Sequence, residues 1–275
     1  MTDTASMKSF ITEEKPDFLI HSAAQRFPDK MQENPEQARL LNVEATKVLA
    51  ESMSKLSHDF QIKPNQRLNF SDQLGGKMLY ISTDYVFDGK SPPYTHESLP
   101  NPLNDYGISK LAGEKAVLKE NSDNLILRMP ILYGDVTYID ESAVTTLYKK
   151  LADPTKKATE MSDYEIRRPS HVSDIASIVH DLINLCCKSD PLQVPKGVYQ
   201  WCGTEAMTKY DMIKSMSEAF DLDHSHIKGV KEPSPGAARP YDTSMVTTRL
   251  LDLGIQHHTP FKVGIKACLE KWHNK

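Results

Sequence analysis

A short apolar run from Met78 to Ile81 opens into Ser82-Thr83-Asp84-Tyr85-Val86-Phe87-Asp88-Gly89, and further on the chain reads Tyr106-Gly107-Ile108-Ser109-Lys110. The apolar run predicts a buried strand. A hydroxyl at its end, that of Thr83, then stands at the carboxyl edge of a parallel sheet, where such folds place their chemistry. Tyr106 and Lys110 lie four apart, so on a helix both project from one face. A phenol with an ordinary pKa of about 10 is a poor acid at neutral pH, and a neighbouring ammonium is expected to lower that value by favouring the phenolate. In this reading Thr83 polarises a carbonyl, Tyr106 delivers the proton, and a nicotinamide supplies hydride.

Those groups need elements to hold them, and the dinucleotide needs a cradle. A first strand followed by a Gly-rich turn ordinarily holds the pyrophosphate at a helix N-terminus. Neither G-x-G-x-x-G nor G-x-x-G-x-x-G occurs here, and the only glycines ahead of the active-site strand are Gly75 and Gly76. The acid/base residues thus stand in the sequence without the phosphate loop.

Elsewhere the pattern alternates. Residues 5–14 read as an amphipathic helix with Thr4 as N-cap, and residues 17–21 as a short buried strand. Residues 35–56 read as one helix behind Asn34, with Pro35 in its first turn. Residues 57–77 are polar and aperiodic, and read as a surface insertion. Then come a helix over 106–119, a strand over 124–129 ended by Pro130, and helices over 142–151 and 172–185, the latter with Ser170 or Ser173 available as a cap. A strand over 198–201, a Thr208-capped helix to Phe220 and a last helix over 262–272 complete the series. Strand and helix alternation argues an α/β, doubly wound parallel sheet. One domain over 1–275 is expected. Residues 1–134 would hold the core sheet with its insertion, and 135–275 a mixed portion with a smaller C-terminal lobe.

Composition narrows the class. At 39% hydrophobic and 25% charged, 275 residues can bury a sizeable core. A net charge of −4 gives no electrostatic footprint for nucleic acid or an anionic membrane surface. The first sixteen residues hold no apolar signal core and no stretch approaches a spanning helix, so a cytosolic setting is the default. Cys186, Cys187, Cys202 and Cys268 show no C-x-x-C spacing and read as reduced, buried thiols. His257-His258 and the pair His224 and His226 have no carboxylate or thiol at ligand spacing, and no metal site is expected.

The strings ISTDYVFDG, PPYTHESLPNPLNDYGISKLAGEKAVL and LILRMPILYGDV resemble the dTDP-4-dehydrorhamnose reductase family of extended short-chain dehydrogenases/reductases. Within it, DFLIHSAAQRFPD, ESAVT, GVYQWCGTEAMTKYDMIKSMSEAF, GAARP and TPFKVGIKACL look most like the branch formed by regulatory beta subunits of methionine adenosyltransferase. The likeness runs from about Thr2 to Cys268, the polar insertion excepted. It implies a Rossmann-like, NADP-binding protein that associates with the methionine adenosyltransferase catalytic subunit in S-adenosylmethionine biosynthesis. The alternative it leaves open is an NADP-dependent reductase of a nucleotide-linked keto-sugar.

Residue by residue, the resemblance implies that Thr83, Tyr106 and Lys110 are the family's Ser/Thr, Tyr and Lys, vestigial or structural in the regulatory branch. Lys110 would also hold the nicotinamide ribose. Further cofactor contacts are implied at Ser22, Ala23, Ala24, Asn42, Ser82, Pro130 and Leu132, and a substrate cleft at Tyr85, Phe87 and Arg239. The chain departs from the pattern at His21, where bacterial reductases carry Asn, and at Met245-Val246, where the family carries Leu-Asp. It starts at what would be the loop after the third strand and stops soon after Trp272. The family's first strand lies beside its fourth, so the strand over 17–21 is expected to present a bare edge.

Blander readings apply to other features. Tyr210 and Lys214 repeat the Tyr/Lys spacing with no hydroxyl-bearing strand end before them, and read as an ordinary amphipathic face. Arg167-Arg168 reads as a solvated turn rather than a phosphate clamp. Met207, Met212 and Met216 read as core filler.

Overall fold

The structure, a computed structural model, describes residues 3–56, 76–188 and 194–273. In chain order the elements are α1 (Thr4–Glu14), β1 (Phe18–His21), α2 (Pro28–Glu33), α3 (Pro35–Arg39), a π-helical turn (Leu40–Glu44) and α4 (Ala45–Leu56). There follow β2 (Lys77–Ile81), a 3-10 turn (Asp84–Val86), α5 (Asp105–Glu120), β3 (Leu125–Arg128), β4 (Leu132–Tyr133) and a 3-10 turn (Ile139–Glu141). Next are α6 (Thr146–Leu151), β5 (Thr159–Ser162), β6 (Ser170–His171), α7 (Val172–Lys188) and β7 (Gly197–Gln200). The chain closes with α8 (Lys209–Phe220), β8 (Ile227–Val230), α9 (Thr248–Leu251) and α10 (Phe261–His273). No helix among the described residues is long and apolar enough to cross a membrane.

Two compact units interleave along the sequence, one of residues 1–86, 99–129 and 182–199, the other of 87–98, 130–181 and 200–275. In the first, a four-stranded sheet has the order β1-β2-β3-β7, with β1, β2 and β3 parallel. Leu79 stands opposite Ile20 and Leu125 in this register. Parallel strands are covered on both faces by their crossover helices, which explains why Met78, Leu79, Leu125, Ile126 and Leu127 are all sealed at 0% exposure. On one face Ile11, Leu49, Ala50, Met53 and Val117 pack with Met78, Tyr80 and Ile126. This is the α/β, Rossmann-like architecture expected from the alternation.

The second unit holds two short parallel pairs, β4 with β6 and β5 with β8. Its core gathers Leu147 and Leu151 of α6, Met212, Ile213 and Met216 of α8, and Phe261, Ile265 and Leu269 of α10. Thr208 caps α8 with a reciprocal box: its hydroxyl accepts from Asp211 N, and the Asp211 carboxylate accepts from Thr208 N.

Local details depart from the sequence reading. Asp3, not Thr4, caps α1, accepting from Ala5 N and Ser6 N. The helix expected over 35–56 is broken at Leu40–Glu44 by a π turn, which turns Asn42 inward to 0% exposure. The short α2 and the strands β4, β5, β6 and β8 were not expected, because two to six residues carry too little periodicity to register. Helix α6 begins at Thr146 rather than Ser142. Ser170 lies in β6 and is no cap of α7. Cys187 is exposed, against the expectation of four buried thiols. The insertion expected over 57–77 lies outside the described residues except for its last two positions, Gly76 and Lys77.

Candidate functional site

At the carboxyl end of β2 the chain turns at Ser82 and Thr83 into the 3-10 turn that carries Tyr85. Ser82 N donates to Leu127 O at 2.7 Å and Asp84 N to Met129 O at 2.9 Å, so the strand end is tied to its β3 neighbour before the chain leaves the sheet. Helix α5 reaches that turn because Gly107 has no side chain: a Cβ there would lie 2.2 Å from Tyr85 O. Asn104 caps α5, its side chain accepting from Gly107 N at 2.9 Å. Further along, Gly113 leaves room for the Tyr80 ring, whose hydroxyl would meet a Cβ at 2.3 Å.

This geometry brings Thr83, Tyr85, Tyr106 and Lys110 together in the first unit. The Thr83 hydroxyl lies beside the Tyr106 phenol, and Tyr85 meets Tyr106 edge-on at 5.9 Å between ring centroids. Thr83 Oγ1 donates to Asp84 Oδ1 and accepts from Tyr85 N, both at 3.2 Å. The electrostatics correct the sequence reading. Burial pushes the Tyr106 phenol up to about 12, with the neighbouring Thr83 hydroxyl only partly opposing it. The Lys110 ammonium does not do the expected work of lowering it. That ammonium sits 3.8 Å from the centroid of the Tyr80 ring, and burial brings its own pKa down to about 7. At neutral pH Tyr106 is therefore a protonated hydrogen-bond donor, able to give a proton to an oxygen but not to take one.

Beneath these groups lies a polar layer that strand and helix patterns did not disclose. Glu114, one turn beyond Lys110, pairs with Arg128 through Oε2 to Nη2 at 2.7 Å and Oε1 to Nε at 3.0 Å, and it also accepts from Ser82 Oγ. All three side chains are under 5% exposed. Tyr106, Lys110 and Glu114 fall at i, i+4 and i+8, so a glutamate on the helix's buried face was the signal available in the sequence. His21, at the end of β1, bonds Thr46 Oγ1 through Nε2 at 2.9 Å, and burial, then Lys110, brings its pKa down to about 4.

The remaining expected contacts divide. Ser22, Ala23 and Ala24 form the irregular turn after β1. Asn42 is fully buried and clamps that turn: its side chain accepts from Gln25 N at 2.7 Å and donates to Gln25 O and Ser109 Oγ, each at 3.0 Å. Asn42 is thus a positioning residue. Ser82 is likewise engaged with Glu114. Phe87, Pro130, Leu132 and Arg239 belong to the second unit. There Phe87 is sealed and stacks on Tyr94 at 4.2 Å, a core position rather than a cleft wall. Arg239 Nη1 donates to the carbonyls of Pro235 and Ala237 at 2.8 and 3.0 Å, bracing the Pro-Gly turn. Arg168, expected in a solvated turn, instead bonds Ser244 Oγ at 2.7 Å and Thr204 O at 2.8 Å.

A dinucleotide would find only part of its usual site in these residues. A buried ammonium resting on a ring, with no ion pair among the described residues, suits a ribose hydroxyl pair, and Thr83 with Tyr106 suits a carbonyl or hydroxyl oxygen. The sequence has no Gly-rich turn to hold the phosphates. The described residues fit the reactive end of a dinucleotide.

Comparison with known proteins gives the arrangement its lineage. Residues 65–274 match the RmlD substrate binding domain family. The fold superposes on a dTDP-4-dehydrorhamnose reductase from Bacillus anthracis str. Ames, solved with NADP, with a TM-score of 0.79 and 22% identity over 98% of this chain and 85% of that one. A dTDP-4-dehydrorhamnose reductase of Sinorhizobium fredii is 25% identical over 90% of this chain and 77% of its own length. Methionine adenosyltransferase 2 subunit beta of Xenopus tropicalis is 40% identical over 98% of this chain and 74% of its own length. On that identity and coverage, the chain belongs to the family of methionine adenosyltransferase 2 beta subunits, a branch of the RmlD substrate binding domain proteins.

Proposed function

We propose that this chain is a regulatory subunit of methionine adenosyltransferase that acts by binding the catalytic subunit in S-adenosylmethionine biosynthesis, in the cytosol. The observation that carries the reading is the 40% identity to a beta subunit over nearly the whole chain, against 25% to a reductase. The test is size-exclusion chromatography with light scattering on the purified chain, alone and mixed with the catalytic subunit of its own organism. A stable hetero-complex is the expected result. Separate elution of two folded proteins would defeat the proposal.

NADP is the ligand for which the reactive end is shaped, and a nicotinamide bound there would supply or accept hydride. Lys110 would hold ribose hydroxyls, while Thr83 and Tyr106 would bond an oxygen, with the proton resident on Tyr106 Oη at neutral pH. The chain is expected to bind NADPH through these groups. Titration followed by protein fluorescence measures this. The second reading, a reductase of a nucleotide-linked keto-sugar, is favoured by the assembled Thr83 and Tyr106 pair. Substrate-dependent NADPH oxidation would transfer the assignment to it.

A further inference from the structure

In the first unit, at the end of β2 opposite the one that leads to Thr83, Lys77 points into the protein with 1% of its surface exposed. Its Nζ donates to Pro195 O at 2.7 Å and to Cys186 Sγ at 3.5 Å. Cys186, near the end of α7, is equally sealed at 1%. The thiol is also within 3.7 Å of Pro195 O. No carboxylate pairs with the Lys77 ammonium within ion-pair distance among the described residues, so the sulfur is its one side-chain partner. A buried amine and a buried thiol are thereby held in contact by backbone geometry, and neither group takes part in the function proposed above.

We infer that Lys77 and Cys186 form a redox-dependent cross-link, a sulfenamide between Nζ and Sγ made under peroxide. The steps balance. Hydrogen peroxide oxidises the Cys186 thiol to a sulfenic acid and is itself reduced to water. The Lys77 amine then attacks that sulfur, the S–O bond breaks, the new S–N bond forms, and the sulfenic oxygen leaves as water with a proton from the amine. The net change in the protein is the loss of two hydrogens. A sulfenic acid condenses readily with a nearby nitrogen nucleophile, and here water and external thiols, its usual competitors, are excluded by burial.

Burial also lowers the Lys77 pKa, which raises the fraction of neutral, nucleophilic amine. It pushes the Cys186 thiol up, with Lys77 pulling the other way, so the first oxidation is slow and sets the rate. The cross-link would join the start of β2 to the end of α7 inside one unit. A thiol reductant would reverse it once unfolding or digestion exposes the bond.

The test uses the full chain carrying Cys187→Ser, which removes the exposed neighbouring thiol and makes the site assignment unambiguous. The protein is treated with hydrogen peroxide, free thiols are alkylated, and digested peptides are analysed by mass spectrometry with and without dithiothreitol. The expected product is a joined pair of peptides containing Lys77 and Cys186, lighter by two hydrogens and released by dithiothreitol. In the same background Lys77→Arg should abolish the joined pair and increase labelling of Cys186 by dimedone, which traps sulfenic acid. Should Lys77→Arg not fold, Lys77→Gln provides the same comparison. Recovery of Cys186 from the folded parent only as the alkylated thiol, or only as sulfinic or sulfonic acid with Lys77 unlinked, would overturn the inference.

Discussion

Lys110 shows what burial does to a charged side chain that meets an aromatic face in place of a carboxylate. Its pKa of about 7 lies well below the ordinary lysine value near ~10.4 in an unfolded chain. Between those two values the unfolded chain binds a proton that the folded chain does not, so the unfolding free energy must rise with pH across that window and fall again as pH drops toward 7. Tyr106 works in the opposite direction only above its ordinary value of about 10, and because burial lowers Lys77 and Lys209 as well, it is the difference between parent and variant from roughly pH 7 to 9.5 that reports Lys110. Urea unfolding of the parent and of Lys110→Met at steps across that range should give a rising curve for the parent and a flatter one for the variant. Parallel curves would show that Lys110 is charged in the folded chain throughout. The phenol neighbouring it is a proton donor for the same physical reason: desolvation penalises whichever form carries the charge.

Among the elements, the π turn at Leu40–Glu44 has the largest local consequence. A regular helix from Pro35 onward would present residues at a constant angular step, whereas the wider turn places Asn42 where its amide can span Gln25 and Ser109. The irregular segment after β1 is thereby fastened to α5, the helix that carries Tyr106. Replacing Asn42 with Ala would leave the Gln25 N–H and C=O without their partner, a cost of about 2 kcal/mol. Denaturant unfolding should report a lowered midpoint with an unchanged slope. A loss below about 0.5 kcal/mol would mean that water replaces the amide at no cost and that the clamp is dispensable.

For the whole molecule, the decisive feature is the order of the main sheet. β1 has β2 on one side and no strand on the other among the described residues, and Ile20 on that strand is 47% exposed. An open edge with an apolar side chain is a template for pairing with other chains. Light scattering over a concentration series should show association that grows with concentration, and Ile20→Lys should suppress it by placing a charge on the edge. A parent that stays monodisperse at high concentration would show that the edge is protected.

How far the sequence sufficed depends on the range over which each feature is specified. Apolar runs and helical spacing are local, and so Met78 to Ile81, the helix bearing Tyr106 and Lys110, and the capping role of Thr208 were all readable from the chain, as were the α/β class and the grouping of Thr83 with Tyr106. The family followed from the same strings. The tertiary structure alone decided the protonation of Tyr106, because desolvation depends on what surrounds a group rather than on what stands four residues away. It alone decided that Asn42 and Ser82 position other groups, that Phe87 is core, and that the chain forms two interleaved units. Hydrogen bonds such as Asn42 to Ser109 and contacts such as Lys77 to Cys186 join residues distant in sequence, and only packing brings them within reach.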